Sequence, residues 1–249
     1  VQRKRLVLFT SQEIGFKLVE SWAARTDIDL LVIAERTRRD DVYGYRSALQ
    51  AAADYGVKCI KASKISDQVK TAVITHNPEL IISAYFPHII PIDLIELPTL
   101  GSVNIHPGLL PFYRGKFPTP WYILNGSPTF GIAIHRLDSG VDTGDVLLQA
   151  EYQLPGDITG HALYRLTMDL GASLLIENLD NLLAGTLEGK RQTGIGSYFN
   201  SIEPRWQIDW NLSLTAIERR VRVHAKPFLP AYTFAFNRII FVNRVLPTL

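Results

Sequence analysis

Short apolar runs alternate with helical patterns through the first half of this chain, and that alternation restricts the fold more than any other feature. The runs lie at 5–10, 28–34, 57–60, 80–85 and 103–106. Between the first two, residues 11–24 carry Ile14, Leu18 and Trp22 at helical spacing. Residues 47–55 and 65–75 also read as helices, and a short helical turn is expected near 91–97. The mixed-charge run 35–41 reads as a solvated loop. Strands separated by helices must cross over before they pair, so they pair in parallel and the sheet is wound on both faces. Ligands of such sheets collect beyond the carboxyl ends of the strands. Thr10, Tyr85 and His106 are therefore expected to share one rim.

After Pro118 the pattern changes. Residues 119–124 read as helix, and 131–137 and 146–154 as strands. A long helical pattern covers 159–183, and its Leu163, Leu166, Leu170, Leu174 and Leu182 are expected to pack on the sheet. The loop-rich stretch 185–204 reads as a boundary between a main domain, 1–187, and a small C-terminal region, 188–249. That region is expected to hold a helix at 214–224 and a hairpin of 232–236 and 239–245 turning at Asn237 and Arg238. The fold class is α/β: a doubly wound, mostly parallel sheet with a small C-terminal appendage.

Composition excludes several classes. The chain is 47% hydrophobic and 20% charged, and its net charge of +2 gives no reason to expect a nucleic-acid partner. The single cysteine, Cys59, has no partner for a disulfide or a metal pair and reads as a buried strand residue. The histidines are scattered without metal-ligand spacing, so no metal is expected. No apolar run is long enough to span a membrane. The basic-then-apolar start reads as a first strand rather than a leader, which fits a cytoplasmic protein.

The chemistry-bearing residues gather in two places. Asn104 and His106 sit two apart on the run 103–106, so both side chains point to one face of a strand. Pro107 and Gly108 then break the strand, which puts both groups at its open end. Asp142 follows in the loop Asp138-Ser-Gly-Val-Asp-Thr-Gly144 between two apolar runs. An amide, an imidazole and a carboxylate at one strand end can hold an oxyanion and move a proton. Each has a plainer reading alone: a turn-capping Asn, a satisfied structural His, a turn-forming Asp. His135 reads as a packed strand residue.

Asn104 and His106, the following Leu109-Leu-Pro111 and Arg114-Gly115, and Asp142 in its Asp-x-Gly loop together resemble the formyltransferase family that uses 10-formyltetrahydrofolate. The likeness is close over 6–149 and looser to about Thr233. It implies a Rossmann-like fold and a catalytic set of Asn104, His106 and Asp142. Asn104 and His106 would hold the oxyanion and Asp142 would assist proton removal. It also implies a pterin pocket walled by the segment after the strand 80–85, with Phe86, His88 and Ile90, and by the Asp138–Asp142 loop, with Asp138 and Val141.

Within that family the position after the first strand reads Thr10-Ser-Gln-Glu-Ile-Gly15, which is not a glycine-rich phosphate cradle; Glu13 would repel phosphate. This departs from the glycinamide ribonucleotide branch. The tRNA branch adds a barrel and a basic surface, whereas this chain ends at Leu249 and is nearly neutral. The resemblance therefore points to sugar N-formyltransferases, acting on a nucleotide-linked amino sugar, dTDP-linked in the first instance. Arg114, Lys116, Arg220 and Arg222 are candidates for its pyrophosphate. Tyr198 and Trp206, with Phe199 and Trp210 nearby in sequence, are candidates for stacking on its base. The apolar 239–249 stretch has two equal readings, a homodimer interface or a hairpin strand packed on its own domain. The alternatives are methionyl-tRNA formylation and a folate- or nucleotide-binding protein without catalysis.

Overall fold

A computed structural model describes residues 3–35, 38–200 and 206–246; the side chains of 38–40 are not among the described parts. In chain order the first half gives β1 (Lys4–Ser11), α1 (Gln12–Trp22), β2 (Ile28–Glu35), α2 (Arg38–Tyr43), α3 (Ala48–Asp54), β3 (Lys58–Lys61), α4 (Asp67–His76), β4 (Leu80–Ala84), α5 (Ile92–Ile95) and β5 (Ser102–His106). There follow β6 (Arg114–Gly115), α6 (Thr119–Asn125), β7 (Thr129–Arg136), β8 (Val146–Gln153), α7 (Gly160–Ala184), β9 (Tyr198–Phe199), α8 (Leu214–Val223), β10 (Ala231–Ala235) and β11 (Arg238–Val242).

The main sheet has seven strands in the order β3-β2-β1-β4-β5-β7-β8. The first five run parallel, and β7 and β8 are antiparallel. This is the doubly wound sheet expected from the alternation. β1 shows why: Leu6 and Leu8 enter one apolar cluster while Val7 and Phe9 enter another, so the strand is buried on both faces. The rim is laced by side chains. Thr10 Oγ1 donates to Ala84 O at 3.0 Å and Ser11 Oγ to Tyr85 O at 2.5 Å.

Local expectations differ from the structure in four places. Residues 38–43 of the charged run form the short helix α2 rather than a loop, and residues 36–37 lie outside the described residues. On α7 the buried face includes Leu163, Thr167, Gly171, Leu175, Leu179 and Leu182, whereas Leu166, Leu170 and Leu174 are only partly covered. The three still pack against the core clusters, and small residues between the leucines let the helix approach closely: a Cβ on Gly171 would already touch Ile105 and Ile14. The stretch 185–204 is not all loop, since β9 pairs in parallel with β6; its residues 201–204 lie outside the described residues. The C-terminal hairpin turns at Phe236 and Asn237, both at positive φ, one residue earlier than expected. Cys59 lies on β3, half-buried, and burial pushes its thiol up to about 11. Among the described residues no helix is long and apolar enough to cross a membrane.

His224, at the end of α8, is buried beside Trp206. Burial, helped by the Arg220 charge, pulls its imidazole from the ordinary 6.5 down to about 4. A depressed pKa means the folded state prefers the neutral ring. Its stability contribution is complete above about pH 6.5 and is lost as pH falls toward 4, up to about 3 kcal/mol. Urea unfolding at pH 7.5 and 4.5 should show this loss in the native chain and a smaller one in His224→Gln.

Candidate active site

The β5 end carries Asn104, half-buried, and His106, buried. The antiparallel register of β7 sets His135 directly across from Asn104. A register shift between Ile134 and His135 interrupts the β7–β8 ladder at this point, as bulges beside sites often do. Asp142, on the loop after β7, returns to the same spot. Its Oδ2 lies 3.5 Å from His106 Nδ1 and its Oδ1 lies 3.4 Å from His135 Nε2. Gly115 N donates to Asp142 Oδ2 at 2.8 Å. Asn104 Nδ2 is 3.2 Å from His135 Nε2.

Two backbone carbonyls fix the imidazole tautomers. A carbonyl only accepts, so His106 Nε2 carries the hydrogen that meets Tyr113 O at 2.7 Å, and His135 Nδ1 carries the one that meets Arg136 O at 2.8 Å. The other nitrogen of each ring faces Asp142. Burial pulls the His106 pKa below its usual range, with Asp142 opposing. Burial pushes Asp142 up, but the charge that His106 and His135 carry when protonated, together with the Gly115 N–H, outweighs it and holds the carboxyl at about 2. The arrangement is a neutral imidazole lone pair beside a carboxylate, a place prepared to take up one proton. Its Nε2–H is committed to Tyr113 O, so His106 presents no free N–H for the oxyanion contact expected of it.

Backbone strain collects here. Tyr85, Tyr113, Phe117 and Asp142 all have φ between 54° and 58°. Non-glycine residues held at positive φ cost about 1 kcal/mol or more each and cluster at functional sites.

The segment after β4 begins at the strained Tyr85. Phe86 packs on Phe9 at 5.2 Å and on His88 at 5.2 Å. His88 Nε2 sits 2.9 Å from Glu35 Oε2. Ile90 is 8% exposed and joins the core with Val7 and Leu94, while Ile89 is 86% exposed. Among the described residues the main chain of 86–90 makes no backbone hydrogen bond, leaving polar groups free for a flat heteroaromatic edge. In the facing loop Asp138 accepts from Gly140 N and Thr143 Oγ1, and Val141 is 51% exposed. Asp138 thus shapes the loop, while Val141 offers an apolar surface.

The candidate acceptor-binding residues fall into separate groups. Arg114 lies 5.4 Å over the Tyr198 ring, next to the Asp142 loop, and Lys116 is exposed nearby in the chain. Trp206 instead pairs with His224, whose other neighbour is Arg220. Arg222 is tied to Glu218 and to Gly156 O, so its guanidinium is already occupied. Tyr198, Phe199, Trp206 and Trp210 do not form one aromatic face. Pairing of β9 with β6 draws Phe199 onto Tyr113 and Trp121, at 5.2 and 4.9 Å. Residues 206–208 instead hydrogen-bond along β10, and Trp210 Nε1 donates to Thr233.

A family model described as formyl transferase matches residues 5–179. The chain belongs to the formyl transferase family. Methionyl-tRNA formyltransferase of Ruminiclostridium cellulolyticum is 34% identical over 212 residues, covering 82% of this chain and 68% of that protein. The chain spans 61% and 54% of two further methionyl-tRNA formyltransferases. Among solved structures, a sugar N-formyltransferase from a Shewanella species superposes with a TM-score of 0.76 at 20% identity, covering 99% of this chain and 98% of that one. An N-formyltransferase from Helicobacter canadensis, solved with folinic acid and dTDP-3-aminofucose, gives 0.70 at 21% identity, covering 89% and 80%. At these identities the structural matches establish the fold.

The site also holds residues that the sequence did not single out. Gln192 Nε2 donates to Asp142 O at 2.9 Å and to Gly144 O at 2.7 Å, while its Oε1 accepts from Arg114 Nη2 at 2.6 Å. It ties the Asp142 loop to Arg114. Gln149 Oε1 accepts from Leu110 N, and Tyr122 OH accepts from Leu109 N, which hold the loop after β5. No local pattern marks these residues, because their partners lie far away in the chain.

Proposed function

We propose that this chain is a sugar N-formyltransferase, moving the formyl group of 10-formyltetrahydrofolate to the amine of a nucleotide-linked amino-deoxysugar, dTDP-linked in the first instance. The observation that carries the chemistry is the convergence of Asn104, His106 and Asp142 at the β5 end. The neutral amine attacks the formyl carbon, forming a C–N bond as the carbonyl electron pair moves onto oxygen. Asn104 donates an N–H to that oxyanion. The proton lost by the amine is held between His106 Nδ1 and Asp142. Collapse re-forms the carbonyl and breaks the bond from carbon to the folate nitrogen, which keeps the electron pair and takes the proton. Segments 86–90 and 138–142 would hold the pterin.

Two features bear on the acceptor. Arg114 and the 56% exposed Tyr198 put a cation and an aromatic ring side by side at the site. At the start of α1 the buried Glu13 carboxylate is bound by Arg46 N and Nε, so that helix end offers no place for a phosphate. Methionyl-tRNA formylation is the second reading, favoured by the 34% identical relative. Formyl-transfer assays with a panel of dTDP- and UDP-amino sugars and with charged initiator tRNA decide between them. Product on a sugar supports the proposal. Product on tRNA alone overturns the acceptor, and no product on either favours a non-catalytic binding protein.

The homodimer is likewise a proposal, supported by the C-terminal hairpin. Residues 206–208 cover the outer edge of β10 by bonding to Tyr232, which among the described residues leaves β11 as the free edge. Phe234, Ile239 and Phe241 are each more than half exposed on this hairpin. Free edges and apolar patches of this kind pair with partners. Sedimentation should give twice the chain mass, and Phe241→Lys should give the monomer; a monomeric native chain overturns the proposal.

A further inference from the structure

We propose that His135 is a positioning residue for the formyl-transfer reaction: it fixes the direction of the Asn104 amide, so that an N–H rather than an oxygen faces the developing oxyanion. The proposal rests on the catalytic reading of Asn104 given above and adds the group that makes that reading work.

An asparagine amide can turn over, exchanging a donor for an acceptor at nearly the same place. An oxygen turned toward an oxyanion would repel it. Something must therefore hold the amide in one sense, and a half-buried strand-end Asn has few neighbours that can do so. His135 is one. It is 1% exposed and lies across the sheet from Asn104 in the β5–β7 register. Its Nδ1–H is committed to Arg136 O at 2.8 Å, so in the neutral ring Nε2 is a bare acceptor. That acceptor lies 3.2 Å from Asn104 Nδ2. One amide N–H goes to His135, and the second N–H of the same nitrogen is left for the reacting oxygen.

The anchor is itself held in place. A Cβ on Gly144 would come within 2.0 Å of Arg136 O, so only glycine there leaves that carbonyl free for His135. The other groups facing His135 are Asp142, with Oδ1 at 3.4 Å from Nε2, and His106, with ring centroids 6.2 Å apart. If the ring were protonated, Nε2–H would turn to Asp142 or demand the oxygen of Asn104, and the donor would be lost. The proposed role therefore requires Nε2 to be bare.

The test combines variants with a direct reading of the ring. His135→Leu removes the acceptor at similar volume, and kcat should fall roughly 100-fold with KM for 10-formyltetrahydrofolate little changed. His135→Gln, whose Oε1 can reach the Nε2 position, should recover at least about tenfold of that loss. In an Asn104→Ala background, His135→Leu should cost nothing more, because the amide it orients is gone. Nitrogen-15 NMR of the histidine-labelled native chain at pH 7.5 should show His135 Nδ1 protonated and Nε2 bare. A protonated Nε2, additive losses in the double variant, or no recovery by a folded His135→Gln would overturn the proposal. An inactive Asn104→Ala with an unaffected His135→Leu overturns it while leaving the catalytic reading standing. An active Asn104→Ala overturns both.

Discussion

Asp142→Asn is expected to lower kcat roughly 10³-fold while the chain stays folded. The carboxylate faces His106 Nδ1 at 3.5 Å, and the other nitrogen of that ring is pinned to Tyr113 O. A proton arriving from the amine therefore has one place to settle, and its charge is balanced there only by Asp142. An amide has no charge to balance it, and with its oxygen kept on Gly115 N its NH₂ group faces His135 rather than His106. The substitution is mild for the backbone. Asn tolerates the positive φ of 54° at least as well as Asp, and its oxygen can still accept from Gly115 N. The checks are steady-state kinetics, a thermal melt and folate binding. A folded variant within about tenfold of native turnover would remove Asp142 from the chemistry. The native chain should also keep its activity down to a pH below the ordinary histidine value of 6.5, because burial favours the neutral, proton-accepting form of His106.

Gly108→Ala is expected to cost about 100-fold in kcat through a residue that never touches substrate. A Cβ at this position would lie 2.6 Å from His106 Nε2 and 2.8 Å from Tyr113 O, between the donor and the acceptor that set the tautomer. Neither can retreat easily: His106 is buried, and Tyr113 is already strained at φ 58°. The ring must swing away, and Nδ1 then loses its alignment with Asp142. Gly156→Ala serves as the control, since its added Cβ would meet nothing within 4 Å. A Gly108→Ala variant with unchanged kcat would mean that the His106–Tyr113 bond is dispensable. A variant that merely unfolds would show a lowered melting temperature together with reduced folate binding.

Hydrophobic periodicity in the amino-acid sequence determined the sheet. Strand and helix repeats are local, and β1, β2, β4 and β5 are buried on both faces, so each leaves a continuous apolar run that can be read without knowing its neighbours. The place of Asn104 and His106 at a strand end was legible for the same reason: a spacing of two followed by Pro107-Gly108. What lay beyond local pattern was every relation between distant segments. Ile90 joins the core beneath the segment after β4, and the buried face of α7 takes in Thr167 and Gly171 between its leucines. His135 read as ordinary strand packing until the β5–β7 register set it opposite Asn104. Gln192 became part of the site where Lys190 bridges to Val146, just past the Asp142 loop. Tertiary structure alone decided which carbonyl each imidazole binds, and with it which nitrogen is bare. That choice depends on hydrogen-bond partners brought together by folding, and a hydrogen-bond direction has no one-dimensional pattern to reveal it.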